Sequence, residues 1–109
     1  YAFQFARPDA IIEDWTAMGD TPAHPEYVSG HSAFSGAAAA VLTAFDGEAP
    51  FCTVNPDAFN IRRCYANYNA AATEAGRSRI YGGIHFTPSN TDGLKLGRDV
   101  AKHVLKTLP

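Results

Sequence analysis

Large apolar side chains recur along the middle of the chain at the spacing of one helix face. Counted from position 34 they stand at i, i+3, i+7, i+8 and i+11, as Phe34, Ala37, Val41, Leu42 and Phe45. This spacing predicts a helix that begins at about His31–Ser32 and ends at Gly47. Alanine and glycine fill most of the positions between them, so a second helix can approach this one closely.

Three further helices are predicted, and no segment shows the alternation typical of a strand. A short helix is expected around Ala10–Trp15, and a longer one from about Ile61 to Ser78. The last helix, capped by Thr91 or Asp92, carries its buried stripe at Leu94, Ala101, Val104, Leu105 and Leu108. Residues 46–60 contain two prolines and are expected to form a loop. The chain is therefore predicted to be all-α, part of a helix bundle in which residues 1–109 belong to one domain.

Size and charge restrict the functions that fit this chain. With 109 residues it is one domain at most, and its formal net charge of −2 argues against a general affinity for nucleic acid. The apolar run over residues 37–42 is far shorter than the ~20 residues of a membrane-spanning helix. Any anion site must therefore be local and built from a few cationic side chains.

Cys52 and Cys64 stand 12 residues apart and bracket a segment rich in Pro, Asn and Asp. A disulfide between them would suit an exported enzyme, whereas two buried free thiols fit the sequence equally well. Zinc binding is not expected, because the usual ligand spacings are missing.

Two short motifs and one dipeptide gather the residues that bind oxyanions. The motifs are Tyr27-Val28-Ser29-Gly30-His31-Ser32 and Ser78-Arg79-Ile80-Tyr81-Gly82-Gly83-Ile84-His85, and Arg7-Pro8 precedes both. Gly30 leaves its amide open to a ligand at a helix start, where the helix dipole favours an anion. Arg79 offers a planar fork of donors that matches two oxygens. Taken singly, these residues have ordinary interpretations, Ser29 or Ser32 as a helix cap and Arg79 as a surface cation.

These three parts, in this order, resemble the superfamily shared by type-2 phosphatidic acid phosphatases and vanadium-dependent haloperoxidases. The sequence of the second motif is most similar to the bacterial haloperoxidase-like branch of this superfamily, and the resemblance runs from Arg7 to about Gly97. It implies that His85 is the vanadium ligand of a haloperoxidase or the nucleophile of a phosphatase, and that His31 is the acid–base residue. It also implies that vanadate or phosphate oxygens are held by Arg7, Ser29, Gly30 and Arg79.

Three positions modify this resemblance. Val28 stands where the family usually has a proline. Ser89 stands four residues after His85, where the family usually has an aspartate that orients the imidazole, so a weaker hydrogen bond is expected unless Asp92 turns in. His24 resembles a histidine of the bromoperoxidases that lies beside vanadate, near the halide, and the alternative is an exposed loop histidine.

The family's first motif pairs Arg-Pro with a lysine seven residues before the arginine, which falls one position before Tyr1. We therefore expect this chain to be the C-terminal part of a longer catalytic domain, with the remaining N-terminal part as its partner. That part would cover apolar surface of residues 1–109.

The resemblance implies a vanadate-dependent haloperoxidase that uses hydrogen peroxide to oxidise a halide to hypohalite, which then halogenates a small organic acceptor. His24 favours bromide. The alternative is a soluble acid phosphatase acting through a phosphohistidine at His85, and a third hypothesis is an inactive oxyanion-binding remnant. Ser89 favours the peroxidase, since a phosphatase depends more on an activated nucleophile. A secreted or periplasmic location is expected from the family and from a Cys52–Cys64 pair.

Overall fold

The computed structural model describes residues 2–109. The elements in chain order are α1 Pro8–Ile11, α2 Gly30–Asp46, β1 Phe51–Asn55, β2 Ile61–Tyr65, α3 Tyr68–Tyr81 and α4 Thr87–Thr107. Helices dominate, as predicted, but the two strands mean that the fold is not purely all-α. None of the helices in the described part of the chain is long and apolar enough to cross a bilayer.

The centre of the fold is the contact between α2 and α4, and α3 packs against both. Small residues line this contact. A Cβ on Gly36 would lie 2.6 Å from the Leu94 carbonyl oxygen, and one on Gly97 would collide with the Ala33 carbonyl oxygen. The predicted close approach of a second helix to α2 is therefore confirmed.

The large apolar residues whose spacing predicted α2 do not form its buried face. Phe34 is 80% exposed and Phe45 is 75% exposed, while the buried positions of this helix are Ser32, Gly36 and Ala39. The small face of α2 is buried because only small side chains allow the backbones of α2 and α4 to come this close. On α4, Ala101 is likewise buried whereas Val104 and Leu108 are exposed.

A disulfide-linked hairpin replaces the predicted loop over residues 46–60 and the first turns of the predicted helix over 61–78. Strands β1 and β2 pair antiparallel with Cys52 opposite Cys64, and the two cysteines are joined. The ring of Phe51 packs on Tyr65 across the ladder and on Tyr68. These cross-strand contacts outweigh the helical spacing of tyrosines on which the prediction depended.

The remaining helix boundaries follow from local signals. The side chain of Asn67 caps α3 by accepting from the Ala70 amide at 2.8 Å. Helix α4 begins at Thr87, with Phe86 as N-cap and a proline in the first turn, so the predicted caps Thr91 and Asp92 are wrong. Helix α1 covers only Pro8–Ile11 rather than 10–15.

Candidate oxyanion-binding site

The imidazole of His85 is buried in the turn between α3 and α4, with 4% of the residue exposed. Its Nδ1 lies 2.9 Å from Glu26 Oε1, and its Nε2 lies 3.0 Å from Arg7 Nη1. A guanidinium can only donate, so Nε2 must accept and Nδ1 must carry the proton that goes to Glu26. These two contacts therefore select one neutral tautomer, in which the Nε2 lone pair faces Arg7.

The electrostatic surroundings of His85 agree with that neutral form. Burial lowers the pKa of His85 below its usual value, and the charges of Arg7 and Arg79 lower it further. The hydrogen bond to Glu26 raises the pKa but does not outweigh burial. The imidazole is thus available as a base or a ligand near neutral pH.

Arg7 is fixed just before α1 by contacts with the chain on both sides of the site. Its Nη1 also donates to the Ile84 carbonyl oxygen at 2.9 Å, and its Nε donates to the His24 carbonyl oxygen at 3.2 Å. Burial lowers the pKa of Arg7, and the charge of Arg79 acts in the same direction. Two guanidinium groups thus stand within reach of each other's charge.

Arg79 lies in the last turn of α3, where the chain folds back towards His85. Its carbonyl oxygen accepts from the amides of Ile84 and His85, and Gly83 adopts a positive φ of 77° that suits this return. The Arg79 Nε is buried and has no hydrogen-bond partner within residues 2–109. A buried, unpaired N–H on a cation is costly without an acceptor, so this atom points to an anionic ligand.

The start of α2 contributes Ser29, Gly30 and His31. Ser29 is fully buried, and its Oγ accepts from the Ser32 amide at 3.4 Å, so the helix-cap interpretation of Ser29 is confirmed. The space beside Gly30 is open, because a Cβ there would meet no atom within 4 Å. Burial and the charge of Arg79 lower the pKa of His31, which favours its neutral form.

The structure places His24 and Ser89 at the border of this cluster. His24 is exposed, yet its Nδ1 lies 3.2 Å from Arg7 Nη2, so the loop histidine also contacts the site. Ser89 Oγ is 3.4 Å from His85 Nδ1 and donates to the Glu26 carbonyl oxygen at 3.0 Å. Asp92 does not turn in, because it accepts from the Tyr27 hydroxyl at 2.8 Å.

Glu26 contacts His85 but is not among the site residues that the sequence predicts. It is only 3% exposed, and its Oε1 accepts from both His85 Nδ1 and the Phe86 amide at 2.9 Å. In the sequence it stands in a loop among other acidic residues and belongs to no periodic pattern. The available signal was its position, three residues before Ser29 in the first motif.

The donors present suit a tetrahedral oxyanion such as vanadate or phosphate. The unpaired Arg79 Nε and the Gly30 amide, beside open space, are donors for oxygens. His85 Nε2, which accepts from Arg7 Nη1 in this structure, is the one ligand atom for the central atom. Within residues 2–109, no group of three or more His, Cys, Asp or Glu side chains gathers to hold a metal cation.

The chain matches the family model described as the VCPO second helical-bundle domain over residues 9–108. It is similar to the crystal structure of the first bacterial vanadium-dependent iodoperoxidase, with 37% identity and a TM-score of 0.87 over 94% of this chain and 27% of that chain. No curated protein sequence is matched.

Two further solved structures share the fold. They are the holo and apo forms of a bacterial vanadium-dependent chloroperoxidase, both 17% identical, with TM-scores of 0.66 and 0.63. The matches cover 82% and 85% of this chain and 22% and 24% of those chains, so the chain spans about a quarter of their length. The chain belongs to the family of the VCPO second helical-bundle domain, within the superfamily of the vanadium-dependent haloperoxidases.

Proposed function

We propose that this chain carries the vanadate-holding residues of a vanadium-dependent haloperoxidase that oxidises iodide and bromide with hydrogen peroxide. The observation that supports this proposal is the buried His85, whose Nε2 lone pair is directed towards a cationic cluster with an unpaired Arg79 Nε. The similarity to a bacterial iodoperoxidase at 37% identity adds independent support.

Most of these residues interact with the oxygens of the anion, and one binds its central atom. Arg7 and Arg79 neutralise the oxygens of the anion, while the Gly30 amide and the Ser29 hydroxyl donate to the same oxygens. His85 Nε2 is the protein ligand to vanadium, in the tautomer that Glu26 and Arg7 select. Bound vanadate supplies a Lewis acid that activates hydrogen peroxide.

His31 handles the proton. Its lowered pKa keeps the imidazole neutral at neutral pH, so it accepts a proton from hydrogen peroxide as the peroxide enters the site. The overall reaction converts halide and hydrogen peroxide into hypohalite and water, and the hypohalite then halogenates a small organic acceptor. His31 returns its proton to the oxygen that leaves as water.

Two observations bear on the halide. His24, the basis for expecting bromide, contacts Arg7 Nη2 through its Nδ1 at 3.2 Å, which supports a position beside the proposed anion. The 37% identical relative is an iodoperoxidase, and iodide is more easily oxidised than bromide. We therefore rank the halides as iodide, then bromide, then chloride.

A soluble acid phosphatase is the second candidate, and the contact between Glu26 and His85 removes the main sequence-based argument against it. Ser89 argued against an activated nucleophile, but Glu26 provides the carboxylate contact to His85 Nδ1 at 2.9 Å. In that reaction His85 Nε2 attacks phosphorus, His31 protonates the departing alcohol, and water hydrolyses the phosphohistidine.

The disulfide between Cys52 and Cys64 supports a secreted or periplasmic location, because such bonds persist in oxidising compartments. The structural matches cover about a quarter of the length of the relatives' chains. We propose that an N-terminal part of the parent chain completes the catalytic domain.

The test uses the full-length protein loaded with orthovanadate. Triiodide formation and bromination of a phenolic dye are measured with hydrogen peroxide, alongside hydrolysis of a chromogenic phosphate ester without vanadate. Halide oxidation that requires both vanadate and halide is the expected result. Ester hydrolysis that vanadate inhibits, without halide oxidation, would establish the phosphatase instead.

Two variants make the assay specific for the site. His85→Ala should abolish either activity, because it removes the ligand or nucleophile. Arg77→Gln alters an exposed arginine two residues from Arg79 and should leave both activities unchanged. If neither activity is found in a folded wild-type protein that still binds orthovanadate, the chain belongs to an inactive oxyanion-binding protein.

A further inference from the structure

The carboxylate beside His85 comes from an unexpected part of the chain. Ser89 lies in the first turn of α4, four residues after His85, and its Oγ is 3.4 Å from His85 Nδ1. Glu26 lies 59 residues before His85, in the loop that leads to α2, yet its Oε1 is closer, at 2.9 Å. The imidazole is therefore oriented from the loop before α2 and not from α4.

Glu26 is held rigidly for this task. Its Oε1 also accepts from the Phe86 amide at 2.9 Å, and its own amide donates to the Phe5 carbonyl oxygen at 3.0 Å. Its carbonyl oxygen accepts from Ser89 Oγ at 3.0 Å. The amide, the carbonyl oxygen and Oε1 of Glu26 thus each have a hydrogen-bond partner.

Ser89 connects three parts of the site. Its hydroxyl fixes the Glu26 backbone, and its carbonyl oxygen accepts from the Ser29 amide at 3.2 Å, which places the N-cap of α2. The side chain of Ser89 is almost fully buried, with 1% of the residue exposed. A carboxylate at position 89 would stand beside that of Glu26, and two buried like charges repel each other.

We infer that Glu26 is the positioning residue of His85, that Ser89 supports Glu26, and that a carboxylate is accepted at position 26 or at position 89 but not at both. This inference rests on the proposed function only in taking an oxyanion as the ligand of His85 Nε2. In this inference the contact with Glu26 sets the tautomer of His85. Because Nδ1–H donates to Glu26, Nε2 stays unprotonated and can accept from Arg7.

The two substitutions of Glu26 act on the tautomer in different ways. In Glu26→Gln the amide oxygen can still accept from Nδ1–H and the Phe86 amide, but the negative charge that holds the Nδ1 proton is lost. In Glu26→Ala the contact is lost and the ring is free to reorient. Ser89→Asp combined with Glu26→Ala returns a carboxylate to Nδ1 from α4.

The experiment measures orthovanadate and inorganic phosphate binding by calorimetry in the full-length protein, without any turnover. Glu26→Gln and Glu26→Ala should weaken both anions about 10- to 100-fold, the usual effect of removing a partner that orients a ligand histidine. Ser89→Asp alone should also weaken binding, and the Glu26→Ala/Ser89→Asp double variant should bind more tightly than either single variant. Glu48→Gln, an exposed acidic residue beyond α2, is the matched control.

A spectroscopic measurement separates positioning from a general structural role. Histidine labelled with ¹⁵N should report His85 with Nδ1 protonated and Nε2 unprotonated in the wild type and in the double variant, and with a mixture of the two tautomers in Glu26→Ala. An unchanged tautomer in Glu26→Ala together with wild-type anion affinity overturns the inference. A double variant that binds no better than Glu26→Ala overturns the exchange between the two positions.

The inference and the proposed function fail in different ways. If the wild type binds orthovanadate but oxidises no halide, the haloperoxidase proposal fails while the binding and tautomer results still decide the role of Glu26. If Glu26→Ala oxidises halide and binds vanadate like the wild type, the role of Glu26 is wrong and the haloperoxidase proposal stands.

Discussion

Among single residues, Arg79 offers the sharpest test of an anion site, because its buried Nε has no acceptor within residues 2–109. Arg79→Lys keeps the charge but loses the planar fork and the Nε donor. We expect the free energy of orthovanadate binding to become less favourable by about 1.5–3 kcal/mol, the net value of a hydrogen bond to a charged group. Calorimetry of the full-length variant measures this loss.

Arg77→Lys provides the matched control, because Arg77 lies on the exposed side of the same helix and contacts Tyr81. It should bind orthovanadate like the wild type. Equal affinities for Arg79→Lys and Arg77→Lys would show that the anion does not use the fork of Arg79.

The lowered pKa of His85 predicts how stability changes with pH in the vanadate-free protein. Burial, Arg7 and Arg79 favour the neutral ring in the folded state, while Glu26 opposes them. Between the folded pKa and the unfolded value of about 6.5, the unfolded chain binds more protons, so the free energy of unfolding falls as the pH falls through this window. His31 acts in the same direction.

Urea denaturation at several pH values on either side of about 6.5 measures this dependence. His85→Gln can still donate to Glu26 and accept from Arg7, so it should fold and lose part of the slope. His103→Gln changes an exposed histidine of α4 and should keep the slope. A slope that is identical in His85→Gln and the wild type would contradict the prediction.

The proximity of Arg7, Arg79 and His85 could be predicted from the sequence because the order and spacing of the motifs indicate it. The contact of Glu26 with His85 could not, since it spans 59 residues and arises from the path of a loop without periodicity. The bromide preference and the roles of all the predicted site residues stay predictions.

At the scale of elements, the glycine contacts between α2 and α4 determine how closely the two motifs are held. A methyl group on Gly97 would meet backbone atoms of Ala33 and Ala37, which cannot move aside as a side chain can. We expect Gly97→Ala to lower the free energy of unfolding by about 1–3 kcal/mol, despite its better helix propensity. Urea denaturation followed by circular dichroism measures the change.

Gly19→Ala is the control for this effect. Gly19 lies in a loop and its added Cβ would meet nothing within 4 Å, so its stability should differ from the wild type by less than about 0.5 kcal/mol. A Gly97→Ala variant as stable as Gly19→Ala would show that the two helices can separate at little cost.

The elements also show where periodicity misleads. Helices α2 and α4 were predicted in outline, because apolar residues recur along both at helical spacing. The hairpin was not predicted, since its strands are short and depend on the pairing of Phe51 with Tyr65 and of Cys52 with Cys64. Tyrosines at helical spacing therefore indicated a helix where tertiary contacts form a strand.

At the scale of the whole molecule, the described residues form a flat body with principal extents of 48 × 38 × 18 Å. One face of α2 carries Phe34, Leu42 and Phe45, all exposed. Exposed apolar residues on a monomeric protein are usually scattered singly, whereas these three form one stripe on a single helix face. The small core between α2 and α4 leaves no room to bury this stripe.

We therefore expect the isolated 109-residue chain to self-associate through this stripe. Sedimentation velocity should show an average sedimentation coefficient that rises with protein concentration, and Phe34→Ser/Phe45→Ser should reduce this rise because it removes most of the apolar area. Met18→Ser provides the control, since Met18 is 87% exposed but stands alone in a loop, and its replacement should leave association unchanged. A chain that stays monomeric at every concentration would show that exposed aromatic rings on α2 are tolerated in water.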